Sequence, residues 1–212
     1  MKADFEISTN AEIQAEFERL FLDYDKLVEA VKYADSERAL CTANDPKGYG
    51  LVTVNAKAAR GLREQFCGEH WISDENDNQP GIFNPALKTR IIPCNFDENA
   101  GNRLVEPSNR KEKGSASGAK VRCNATGWLP GLDAPITGKA DEEISTIILG
   151  IYSEEGEPLR AELAYPIGFC SKKYTDFSKR IILLDGTEDF SDLNRSDRGN
   201  PTETVEIKIS RR

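Results

Sequence analysis

The chain of 212 residues contains a single histidine, His70. That excludes any mechanism, and any zinc site, that needs a pair of imidazoles. No apolar run approaches the roughly 20 residues required to span a bilayer as a helix. The first ten residues, MKADFEISTN, lack the apolar core of a secretory signal, so an intracellular, cytoplasmic protein is expected. Cysteine is sparse, odd in number and scattered (Cys41, Cys67, Cys94, Cys123, Cys170). This is not a disulfide framework; reduced, buried thiols are expected instead. In that compartment Asn124-Ala125-Thr126 has no meaning as a glycosylation sequon. There is no G-x-G-x-x-G and no G-x-S-x-G, and Gly114 to Lys120 fails the spacing of a phosphate loop, so no cofactor is implied. The net charge of −8 excludes a protein that coats nucleic acid with its whole surface.

The scaffold centres on residues 144–184. From Leu159 to Phe169 every odd position is apolar, which predicts a strand with one face on a core and the other near water. Ile144 to Tyr152 is apolar on both faces, as for a central strand covered on two sides. Glu154-Glu155-Gly156-Glu157 between them predicts an antiparallel hairpin, with Arg180 to Leu184 as a neighbouring strand. Further strands are predicted near 49–54, 89–96, 120–126 and 204–209, with Pro93 marking a sheet edge or a bulge.

Ahead of these, Thr9 and Glu12 form a capping-box pattern. The stripe Ile13, Phe17, Leu20, Phe21, Tyr24, Leu27, Val28 and Val31 predicts one long amphipathic helix of about 24 residues, roughly 36 Å long. Asn55 is expected to cap a short second helix, Ala56 to Phe66. The fold class is therefore α+β in a single domain, residues 1–212. Both helices pack on one face of a mainly antiparallel sheet, and dimerisation through the long helix is an alternative use of its stripe. Polar loops are expected at 73–86, 97–119 and 185–203. The middle one is taken as flexible because of its Gly114-Ser115-Ala116-Ser117-Gly118 centre.

Charge is unevenly spread. Between Arg103 and Arg122 six basic residues (Arg103, Arg110, Lys111, Lys113, Lys120 and Arg122) face two acidic ones, which leaves the remainder at −12. Lys57, Arg60 and Arg63 form a second basic strip on one helical face. Lys and Arg on an exposed segment suit contact with phosphates, so a non-enzymatic module that binds nucleic acid or an acidic protein is the favoured reading. A protein whose acidic remainder imitates DNA is the opposite alternative. The enzyme alternative is a Mg²⁺-dependent nuclease of PD-(D/E)xK type, with Asp185 ending one strand and Glu206-Ile207-Lys208 on the next. Two other patterns read as structural. Cys67 and His70 lack the second pair a zinc site needs. Asp74, Asn76 and Asn78 have calcium-loop spacing without its sixth-position Gly or twelfth-position Glu.

Overall fold

β-Branched and aliphatic runs between Ser145 and Leu184 form three adjacent strands, and the remaining elements assemble around them. The computed structural model describes residues 6–7, 10–128 and 144–187. Its strands are β1 (Glu6–Ile7), β2 (Ile72–Asp74), β3 (Gly81–Asn84), β4 (Thr89–Asn95), β5 (Ser145–Tyr152), β6 (Arg160–Cys170) and β7 (Lys173–Leu184). The helices are α1 (Asn10–Leu20), α2 (Tyr24–Ala39), α3 (Tyr49–Phe66) and α4 (Ser115–Trp128). The sheet runs β1-β7-β6-β5-β4-β3-β2. Only the β1–β7 and β4–β5 pairs are parallel. The class is α+β with a mixed, mainly antiparallel sheet, and the expected hairpin is the β5–β6 pair.

β5 is buried on both sides, as its sequence predicts. Ile147, Leu149 and Ile151 join the core beneath α1, α2 and α3, while Ile148 belongs to a second core with Phe96, Val121 and Phe177. The Phe96 ring packs directly against Gly150: a Cβ there would stand 2.2 Å from its Cδ2, so only glycine admits the ring. The crossover from β4 to parallel β5 carries α4, which covers that second face. Helices therefore pack on both faces of the sheet, not on one as the sequence suggests.

The long N-terminal helix is two helices. Leu22 N–H donates to Phe17 O at 2.9 Å and Phe21 N–H to Glu18 O at 3.2 Å, which is a Schellman closure. Asp23 then caps α2 by accepting from Lys26 N–H at 3.0 Å. Phe21 takes the left-handed conformation (φ 54) that glycine usually fills. Its ring stacks on His70 with centroids 3.9 Å apart, and Trp71 Nε1 donates to Leu20 O at 3.1 Å. The lone histidine thus has a structural place at the α1–α2 corner. Thr9 of the expected capping box lies outside the described residues.

Two predicted strands are helical. Leu51, Val54, Ala58 and Leu62 recur at helical spacing, and the 49–54 stretch continues without a break into α3. Burial against α2 overrides its strand propensity: a Cβ on Gly61 would come within 2.9 Å of Ala30 Cα. In α4, Ser117, Gly118 and Val121 face the sheet, and Phe169 rests on Gly118. The Gly-Ser centre is therefore the flat first turn of a helix and not a linker. Asn124 clamps the other end, donating to Thr146 O (2.7 Å) and Pro166 O (2.9 Å) while accepting from Thr146 N–H (2.7 Å). Conversely, β2 and β3 arise within the expected 73–86 loop. The predicted 204–209 strand lies outside the described residues.

β6 departs from its alternation toward its end. Register shifts around Pro166 and Gly168 turn Phe169 onto the second core, where it meets Tyr174. Glu162, expected near water, is fully buried.

Glu16 of α1 ties the helix layer to the sheet: it accepts from Arg19 and from the Tyr165 hydroxyl, each at 2.7 Å, and pairs with Lys179 at 3.3 Å. Burial pushes its carboxyl up, but the Arg19 and Tyr165 hydrogen bonds and the two nearby positive charges outweigh this and hold it at about 2. A carboxyl lowered in the folded state stabilises fully above its unfolded value of about 4.5, and that contribution fades as pH falls toward 2. Water around the exposed Arg19 screens part of it, so Glu16→Gln is expected to cost about 2 kcal/mol near pH 7. Urea midpoints of variant and parent are expected to converge near pH 2; a gap that persists there would assign the effect to packing.

Candidate functional site

Segment 97–114 lies over the second face of the sheet and is fixed at both ends. Asp97 N–H donates to Ser108 O (2.9 Å), Ser108 N–H returns to Asp97 Oδ2 (3.2 Å), and Arg110 N–H donates to Asn95 O (2.9 Å). The loop between them is held from below. Glu162 Oε2 accepts from Gly101 N–H at 2.9 Å, and Arg180 Nη1 donates to Val105 O at 3.0 Å. Glu162 and Arg180 bind each other in a fork, at 2.8 and 2.5 Å, with both side chains fully buried. With the Gly101 N–H, three donors thus converge on this carboxylate.

Asn109, fully buried, is the second anchor. Its Nδ2 donates to Lys111 O (2.6 Å) and Lys172 O (3.1 Å), and its Oδ1 accepts from Tyr174 N–H (2.8 Å). Lys113 N–H donates to Lys172 O at 3.0 Å. The basic residues around Asn109 are thereby joined to the tight β6–β7 turn, where Ser171 and Lys172 both have positive φ (49 and 64). The resulting face carries Arg110, Lys111, Lys113, Lys172 and Lys173 against Glu112 and Glu154. Arg110 pairs with Glu154, and Lys172 with Glu112 at 2.7 Å. Lys173 Nζ donates to Asn109 O. Lys111 Nζ lies beside Gly48 at the start of α3. The Lys172 ammonium holds the exposed Glu112 carboxyl below its ordinary value by hydrogen bond and charge.

The other sequence candidates are placed elsewhere. Lys57 pairs with Glu37, Arg60 with Glu64 at 2.7 Å, and Arg63 with Glu75 at 3.0 Å, so the strip on α3 is engaged in local ion pairs. Arg63 also donates to Asp74 O and Gly81 O, holding β2 against α3. Lys120 is buried in α4 and pairs with Asp77, whose carboxyl it lowers. Arg122 lies on α4 and Arg103 near the end of β7, where it shares a groove of about 420 Å³ with Asp185 and Tyr24. Asp185 Oδ1 accepts from Thr187 N–H (2.9 Å) and Oγ1 (2.6 Å); these bonds, with Arg103 nearby, lower its carboxyl. Glu206 and Lys208 lie outside the described residues. In the calcium-like loop, Asp74 is paired with Arg90 at 2.7 Å.

All five thiols are free; Cys67 and Cys170 are exposed, contrary to the expectation of burial. Among the described residues no group of three His, Cys, Asp or Glu side chains gathers where it could hold a metal ion. No described helix is long and apolar enough to cross a membrane. Sequence reasoning missed Asn109, Lys172 and Lys173. The Lys-Lys pair at a hairpin corner was the available signal for the last two. The chain matches no model of a known protein family, no curated protein and no solved structure.

Proposed function

We propose that this protein is a non-enzymatic, intracellular binding module that contacts an anionic macromolecule, with nucleic acid as the partner, through residues 109–113 and the β6–β7 turn. The observation that carries this reading is a local excess of positive charge on backbone anchored by Asn109, in a chain otherwise strongly acidic. Phosphate contacts ask for Lys and Arg side chains on a positioned backbone, and an anchored segment loses less entropy on binding than a flexible one. The acidity of the remaining surface favours contact confined to this face, because phosphates approaching elsewhere are repelled. The test is a gel shift with labelled duplex and single-stranded DNA and RNA, at low and moderate salt, with EDTA and with Mg²⁺. A salt-sensitive shift without cleavage is expected. Mg²⁺-dependent cleavage would turn the reading to the nuclease alternative at Asp185, Glu206 and Lys208. The absence of any shift would reject a nucleic-acid partner and leave the acidic surface as the working face.

A further inference from the structure

The sheet has a break beside Pro93. β3 begins at Gly81, so among the described residues no strand pairs with this edge of β4 between the Ile82–Ile91 pair and the bond from Arg110 N–H to Asn95 O. Phe96 N–H points to β5, where Ile151 O accepts it. Strand alternation turns the Pro93 nitrogen to the opposite, open edge, where a missing N–H costs no ladder bond. Proline's predicted edge position is thus met locally, inside an otherwise interior strand.

A cavity of about 90 Å³ occupies the break. Its polar lining is Asn55 from α3, Asn78 and Gln79, Lys113, and Tyr174 at the start of β7. At roughly 30 Å³ per water, this is the space of about three waters or one small polyatomic ion. The charge in it is positive. No carboxylate pairs with Lys113 among the described residues, and its recorded side-chain neighbour is the buried Cys94 thiol, which burial pushes up and Lys113 pulls down. The acid of the neighbouring turn, Asp77, is already bound to Lys120.

The hydrogen-bonding groups are prepared in the same sense. Gln79 Nε2 donates to Ser117 Oγ at 2.8 Å. Burial raises the Tyr174 phenol, with Ser117 beside it pulling the other way, so the hydroxyl keeps its proton. A protonated phenol can donate, as an oxyanion requires. Ser117 sits in the first turn of α4, so Gln79 is held by the positive end of that helix. Asn55 Oδ1 is buried without a hydrogen-bond partner. A buried, unpaired amide is costly, and rotating the amide would turn its NH₂ to the same space.

We propose that this cavity is a binding site for a small oxyanion of the phosphate class, with Lys113 supplying the charge and Tyr174 and the Asn55 and Asn78 amides the directed hydrogen bonds. The proposal shares Lys113 alone with the exposed face above; Asn55, Asn78, Gln79 and Tyr174 belong to the cavity only, so contact through Arg110, Lys111 and Lys172 can fail with phosphate binding intact. The same chemistry is offered by free phosphate and by a phosphate at the end of a nucleic-acid strand.

The experiment is an NMR titration of the full chain with inorganic phosphate against chloride at matched ionic strength. Saturable shifts of the Asn55, Asn78 and Gln79 side-chain amides are expected with phosphate alone. Lys113→Met is expected to weaken that binding at least tenfold, with Lys26→Met, on the far helix layer, unchanged. Should Lys113→Met fail to fold, Tyr174→Phe serves, with a smaller loss expected. Phosphate acting no differently from chloride, or binding unaltered in a folded Lys113→Met, would overturn the proposal. Oligonucleotides with and without a 5′-phosphate separate the two sources. Tighter binding of the phosphorylated strand assigns the site to strand ends, and equal binding assigns it to the free ion. Loss of the gel shift with phosphate binding intact would reject only the nucleic-acid reading.

Discussion

Arg180→Met is expected to lower the free energy of unfolding by about 3–5 kcal/mol, the usual cost of stranding one member of a buried ion pair. The substitution removes both bonds of the fork to Glu162 and the bond to Val105 O. Glu162, fully buried, keeps only the Gly101 N–H among the partners described for it. Glu162→Gln combined with Arg180→Met is expected to be less damaging than Arg180→Met alone, because the uncompensated charge is gone. Urea unfolding of the three variants measures this. A double variant as unstable as the sum of the single ones would show that packing, and not charge pairing, holds loop 97–110 on the sheet.

The second large effect is expected at Asn109. Asn109→Ala would leave Lys111 O and Tyr174 N–H without the side chain that now serves them, while Lys172 O keeps the Lys113 N–H. Each abandoned buried group costs about 1–3 kcal/mol where water cannot replace the partner. Part of this segment is open to solvent, so a total of about 2–4 kcal/mol is expected. The more telling change is local. Amide exchange at residues 110–113 is expected to quicken more than exchange in β5, because the anchor is lost before the sheet. Asn109→Asp keeps the acceptor for Tyr174 but sets a buried carboxylate oxygen against the Lys111 and Lys172 carbonyls, and is expected to be no milder than Asn109→Ala. Equal acceleration in both regions would mean that Asn109 supports the whole fold and not this segment.

What could be read from residues alone followed the range of the interactions. The β5–β6 hairpin was legible because alternation, a Gly-bearing turn and strand propensity agree within 30 residues. The α1–α2 break was not, because Phe21 continues the apolar stripe. What ends the helix there is the combination of the Asp23 cap and the distant His70 and Trp71. For α3, the spacing of Leu51, Val54, Ala58 and Leu62 was present but was outweighed locally by the β-branched run Val52-Thr53-Val54. Glu162 illustrates the limit most clearly. Alternation puts it on the face away from Leu163 and Ala161, but nothing in strand periodicity announces that a loop 61 residues away in sequence covers it. The basic residues at 110–113 were visible as composition; their union with Lys172 and Lys173 depends on Asn109, a residue with no motif around it.

Fluorescence anisotropy with a labelled oligonucleotide, titrated across a range of salt, tests the central claim most directly. The parent protein is compared with the combined variant Arg110→Ala, Lys111→Ala, Lys172→Ala, which leaves the Lys113 cavity intact. Log affinity is expected to fall steeply with log salt for the parent, and the slope to shrink by about 2–3 in the variant, near 0.7–0.9 per lost phosphate contact. An unchanged slope and affinity in a folded variant would contradict the assignment of this face as the binding surface.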